Sequence, residues 1–169
     1  DNATMALPCQ PKPVKLICGM ISYDKSLFDD AQISLQEAFG TCDIISDIFD
    51  FDFTHYYDGE MGSPLWRRFV AFEHLADPGR LAWAKRFSNE LEARFAALGG
   101  GSPARPINLD MGYVEQSKLV LASMKNFSHR IYLADGVYAE VTLAYHKAGW
   151  QSYEWTFPDY ASGRYRAFL

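Results

Sequence analysis

The chain has 169 residues, 49% of them hydrophobic and 15% aromatic, enough for one core that buries roughly 70% of the surface exposed by the unfolded form. Sixteen basic against 21 acidic residues leave a net charge of -5, which counts against non-specific binding to nucleic acid or to an anionic membrane. Cys9, Cys18 and Cys42 lack C-x-x-C or zinc spacing, no apolar run is long enough to span a membrane, and no leader-type segment opens the chain. The expectation is a soluble cytoplasmic protein with reduced thiols.

Residues 1–13, with Pro8, Pro11 and Pro13, read as a flexible lead-in in which Met5 is a candidate natural start, and residues 14–169 as a single domain. Residues 14–21 form an apolar run that predicts a buried strand. Ser26, with Asp29 three residues on, predicts a capping box and a helix over 26–39. Its apolar stripe is Phe28, Ala31, Leu35, Ala38 and Phe39, and Gly40 supplies the stop. A return strand is expected over residues 44–53, where Phe49, Phe51 and Phe53 alternate with Asp50, Asp52 and Thr54. The aromatics would face the helices and the polar residues the other side, with Tyr56, Tyr57 and Glu60 on the exit loop.

Ser63-Pro64 and Asp77-Pro78 each place a capping residue before a proline, predicting helices over 64–75 and 78–98. In the second, Leu81, Ala84, Phe87, Leu91, Phe95 and Leu98 make the apolar arc, and Lys85, Asn89 and Glu92 form a narrow polar sector beside it. After Gly99-Gly100-Gly101 the chain turns to strands: "INLDMGYV", "KLVLASM", and "RIYLADGVYAEVTLAYH", a hairpin turning at Asp135-Gly136. Ala148-Gly149 predicts a further turn. The expected fold is α+β, a mixed, mainly antiparallel sheet with helices packed on one face as a two-layer sandwich.

A two-residue turn at Asp135-Gly136 would pair Ala134 with Val137, Tyr132 with Ala139, Ile131 with Glu140 and His129 with Thr142. His129, Glu140 and Thr142 would then share one sheet face, and Val137, Ala139, Val141 and Leu143 the other. A carboxylate amid so apolar a strand needs a partner, because an unpaired buried charge is costly. His129, Arg130, Lys125 and Lys85 are the candidates. The alternative is a solvated sheet face with no site.

Glu140 and His129 are therefore candidate acid and base, and Asp52 and Asp110 candidate oxygen ligands of a divalent cation. His55, His74, His129 and His146 have no zinc-site spacing, and the chain contains no Walker motif, dinucleotide fingerprint or nucleophile elbow.

Across nearly its whole length the chain resembles an uncharacterised bacterial family, domain-of-unknown-function family 4416. The segments that carry the resemblance are "FDFTHYYDGEMG", "RPINLDMGYV", "KLVLASMKNFSHRIYL", "GVYAEVTLAYH" and "WTFPDY". Where the family has proline after the aspartate of "NLD-x-G", this chain has Met111. Members are sometimes called GTP-binding proteins, a name the motifs here do not support. The resemblance implies that the polar residues inside these segments form one constellation. The resulting expectation is a small-molecule or metal-binding domain, with hydrolytic or phosphoryl-directed chemistry as its enzymatic form. A small anionic ligand would meet Lys85, Lys125, Arg130, Asn89, Asn108, Thr54, Glu60 and Thr142, between walls of Tyr56, Tyr57 and Trp155. The competing expectation is a protein-interaction or homodimerisation module whose surface includes Tyr160, Tyr165 and Phe168. Nucleic acid is not expected as a partner.

Overall fold

A computed structural model describes residues 7–54, 56–101, 103–147 and 149–169. Met5, His55 and the Ala148 half of the expected turn with Gly149 lie outside the described residues. At the centre is β1 (Lys15–Ser22), buried at every position but its first. A continuous apolar strand can exist only where both sheet faces are covered. It pairs with β4 (Trp66–Phe72) on one side and β5 (Ile107–Val114) on the other. Outward from β4 lie β2 (Cys42–Ile45) and β3 (Phe49–Asp50); outward from β5 come β6 (Lys118–Ser123), β8 (Val137–His146) and the edge strand β7 (Ile131–Ala134), with β9 (Gly149–Ser152) also on β8. Every ladder between named strands is antiparallel.

The fold is α+β, with α1 (Ser26–Phe39) and α3 (Leu81–Leu98) on one face of an open sheet. Phe28, Ala31 and Leu35 of α1 and Ala84 and Leu91 of α3 pack against Cys18, Met20, Val70, Leu109 and Met111. The opposite face is covered by the loop after β3, the one-turn helix α2 (Asp58–Met61), and the C-terminal segment, which contains α4 (Pro158–Ala161). No helix among the described residues is long and apolar enough to cross a membrane.

Several expectations change in the structure. Residues 66–72 are a strand, not part of a helix over 64–75: Trp66, Phe69, Val70 and Phe72 favour a pleated surface, and β1 and β2 pair with the segment on both sides. Arg67 and Arg68 consequently take opposite faces. The expected capping box does not form: the N-cap of α1 is Lys25, without a side-chain bond, and Asp24 just before it accepts from Ser26 N at 2.9 Å and Ser26 Oγ at 2.7 Å. At Asp77-Pro78 the expected cap forms, Asp77 accepting from Gly79 N at 2.7 Å. The return strand is broken into β2 and the two-residue β3. Phe49 packs with Phe69 and Tyr165 and Phe51 with Ile21, Met61 and Leu65, all on the face away from α1 and α3. Asp50 and Asp52 are exposed. The orientation expected of this segment is thus reversed.

In the hairpin, Asp135 (φ 52°) and Gly136 (φ 78°) both adopt the positive φ of a type I′ turn, and Ala134 pairs with Val137. Beyond that pair the expected register fails: an irregularity at Leu133 moves Tyr132 opposite Tyr138 and Ile131 opposite Ala139. A second one leaves Thr142 as the extra residue between the Leu119–Leu143 and Val120–Val141 pairs. It turns Leu143 onto the face of Leu119 and Leu121, away from Val141.

Candidate functional site

The sheet forks. β5 stays paired with β1 along its whole length, but its pairs with β6 span only Gly112 to Val114. At Gly112 a Cβ would lie 2.5 Å from Val120 O, so glycine permits the close approach where the strands still meet. Toward Leu109 the strands separate, and α3 reaches into the gap from behind. Leu109 N donates to Glu92 Oε1 at 2.7 Å, and Leu109 O accepts from Lys85 Nζ at 2.8 Å and Ser88 Oγ at 3.3 Å. Three side chains replace the missing strand.

A cavity of about 560 Å³ occupies the fork. Asn108 and Asp110 line it from β5, Leu121 to Ser123 from β6, Glu140 from β8 and Arg67 from β4. Lys85, Asn89 and Glu92 come from α3; Phe51, Phe53, Thr54, Tyr56 and Tyr57 wall one side, and residues 157–160 another. These elements place apolar and aromatic surface around convergent charges, the usual composition of a small-molecule pocket.

Arg67 is 2% exposed. Its Nη1 donates to Asp159 Oδ2 at 2.5 Å, and its Nη2 to Asp110 Oδ2 at 2.9 Å and Tyr160 Oη at 3.3 Å. The rings of Phe69 and Tyr160 each lie 5.0 Å from its Cζ. Gly19 makes the space, since a Cβ there would meet Phe69 Cε1 at 2.9 Å and Arg67 Nη2 at 3.0 Å. Burial alone would lower the guanidinium pKa, but Tyr160, Asp159 and Asp110 outweigh it and hold the pKa well above the usual value. Arg67 thereby ties the C-terminal segment to the sheet.

On the far wall, Glu140 is also 2% exposed. Its Oε2 accepts from Arg130 Nε at 2.9 Å and lies 2.8 Å from His129 Nε2, while Thr142 Oγ1 donates to Oε1 at 3.2 Å. Arg130 is fixed further by Ser123 Oγ and the Lys125 carbonyl, each at 2.9 Å. His129 stacks on Trp155, whose Nε1 donates to Val141 O at 3.0 Å. Among these, Glu140 and Arg130 line the cavity, whereas His129, Thr142 and Trp155 stand behind them.

Tyr56 and Lys125 are exposed and meet at the mouth, Lys125 Nζ donating to Tyr56 Oη at 2.9 Å. Thr54 Oγ1 accepts from Tyr56 N at 3.0 Å. Glu60 does not line the cavity; its carbonyl accepts from Arg105 N at 3.0 Å. Arg105 in turn donates to Glu92 Oε2 at 3.1 Å and to Asn108 Oδ1. Burial raises the Glu92 pKa, with Lys85 and Arg105 opposing it.

The structure does not bring Asp52 and Asp110 together. Asp52 lies outside the cavity against Arg164 Nη1 at 2.8 Å, and Asp110 faces Arg67. Among the described residues no group of three or more His, Cys, Asp or Glu side chains could hold a metal ion. Tyr160 and Tyr165 are 4% and 1% exposed, so they cover the sheet and do not offer a docking surface.

Arg67, Arg105 and Asp159 are cavity residues that sequence reasoning missed. Arg67 was hidden by the helix assigned to its segment. Asp159 sits in "WTFPDY", a segment singled out above, and that was its available signal.

Residues 12–169 match the model of a family described as a domain of unknown function, DUF4416, and the chain belongs to that family. No curated protein and no solved structure matches it.

Asp159→Ala leaves the buried Arg67 with Asp110 as its remaining carboxylate partner and Nη1 without its acceptor, with an expected cost of about 1.5–3 kcal/mol. Urea unfolding should show that loss, with early proteolytic release of the C-terminal segment. A loss under about 1 kcal/mol, the value of a surface pair, would contradict the tie.

Burial raises the Tyr57 phenol from 10.0 to about 12, and Tyr160 and Tyr165 rise as well. A raised phenol holds its proton more firmly in the folded than in the unfolded state. The associated stability is complete below the ordinary tyrosine value and is lost as pH climbs through the folded value. Stability should therefore fall between about pH 10 and 12, with Tyr57→Phe flattening part of the decline. Phenolate absorbance showing Tyr57 titrating with the exposed tyrosines would refute this.

Proposed function

We propose that this DUF4416 member binds a small organic anion in the fork cavity. The carrying observation is that Arg67, Lys85, Arg105, Lys125 and Arg130 all line a single cavity in a chain of net charge -5. Its volume falls within the range of about 300–1,000 Å³ common to small-molecule sites. Aromatic walls at Phe51, Phe53, Tyr57 and Phe157 suit an apolar ligand body.

The geometry favours binding over acid–base chemistry by Glu140 and His129. Both Glu140 oxygens are already engaged, and His129 stands outside the cavity lining. Glu140 is better suited to holding Arg130 in place, because a carboxylate partner fixes the direction of a guanidinium.

A thermal-shift screen of organic anions, followed by amide chemical-shift mapping, tests the proposal. A ligand at a hundredfold excess over its Kd adds about 2.7 kcal/mol, or roughly 5–10 °C for a chain of this size. Perturbed amides are expected at residues 108–110 and 121–125. A library that moves no midpoint, or perturbations that fall elsewhere, would rule the reading out.

A further inference from the structure

The cavity holds more cations than carboxylates by one. Five basic side chains line it, and four acidic ones: Glu92, Asp110, Glu140 and Asp159. The acids are not evenly shared. Asp159 and Asp110 lie 2.5 and 2.9 Å from Arg67, Glu140 lies 2.9 Å from Arg130, and Glu92 lies 3.1 Å from Arg105. Each arginine has its own carboxylate. The two lysines remain, in unlike settings. Lys125 is exposed at the mouth, where water and the Tyr56 hydroxyl serve it.

Lys85 is 5% exposed. Among the described residues its ammonium donates to Leu109 O alone, and its nearest carboxylate oxygen, on Asp110, is 4.0 Å away on a group already bound by Arg67. An ammonium has three donors, so this one keeps spare hydrogen-bonding capacity for an anion that comes closer than the 4.0 Å contact with Asp110. Asn89 lies one turn along α3 and lines the same floor.

We infer that Lys85 is the anchor for a ligand bearing a single negative charge, an aryl or similarly apolar monocarboxylate whose body lies against the aromatic walls. This rests on the anion-binding reading above and narrows it. One carboxylate neutralises the excess charge. A second or third negative charge would face four resident carboxylates in a partly desolvated space, where like charges repel strongly. Dianions and nucleoside triphosphates are the ligands this cavity disfavours.

The test compares phenylacetate with phenylacetamide, phenylsuccinate and GTP at pH 7.5, by calorimetry or amide-shift titration of the full chain. Phenylacetate should bind about tenfold or more tightly than each of the others, since the charge-assisted bond to Lys85 is lost in the amide and opposed in the polyanions. Lys85→Gln, which retains a donor for Leu109 O, should abolish the preference for acid over amide. If Lys85→Gln does not fold, Asn89→Ala reads the same floor and should weaken phenylacetate by about threefold or more. Tighter binding of phenylsuccinate or GTP, an acid preference that survives Lys85→Gln, or an unchanged Asn89→Ala overturns this inference and leaves the anion-binding reading standing. No binding by any of the four probes also overturns this inference, and the organic-anion screen then decides the anion-binding reading.

Discussion

Leu109 carries a backbone N–H and C=O that point where no strand runs, and the cavity exists because α3 answers them. Buried peptide groups must find partners. Here Glu92 takes the N–H, and Lys85 and Ser88 take the carbonyl. The sheet can then divide without exposing an edge, β5 staying with β1 and β6 with β8. A fork closed by side chains leaves room that a continuous ladder would fill. It also brings charged groups of a helix through to the opposite face, which explains why α3 contributes to a site on the side of the sheet it does not cover.

The second requirement is a lid for that face, and Arg67 supplies the attachment. Its two carboxylate partners come from β5 and from the C-terminal segment, so one guanidinium links the strand that borders the fork to the chain that closes it. The aromatic rings around it exclude water, which strengthens each ion pair and makes loss of either partner expensive. Gly19 is part of the same device, since any side chain there would occupy the guanidinium's place. Binding capacity and stability are therefore coupled at Arg67. Lys85, whose carboxylate contact is the 4.0 Å approach to Asp110, is where ligand charge can be read.

Much of this was legible in the residues, for identifiable reasons. The period of the apolar positions marked α1, and the Asp77-Pro78 cap marked the approach to α3. The polar sector Lys85, Asn89 and Glu92 stood out directly beside the apolar arc, and all three residues line the cavity. Glu140 stood out as a carboxylate in an apolar strand, and His129 and Arg130 are its partners. What escaped depends on long-range geometry. Ser63-Pro64 resembles a helix start locally, and only pairing with β1 and β2 makes residues 66–72 a strand; with that error Arg67 was lost. The bulges at Leu133 and Thr142 shift register by one residue without any glycine to announce them. The reversal of Phe51 and Asp52 has the same origin. Phe49, inside β3, and Phe51, beyond it, share the face away from α1 and α3, because the C-terminal segment and α2 cover that face too, which the local alternation cannot show.

Amide hydrogen exchange at Leu109 is the most direct measurement of the central claim, that α3 side chains stand in for a strand at the fork. The account predicts that the Leu109 amide is strongly protected in the native protein, and that Glu92→Ala selectively exposes it while the amides of β1 remain protected. A Leu109 amide that exchanges freely in the native protein, or one that stays protected without Glu92, would contradict it.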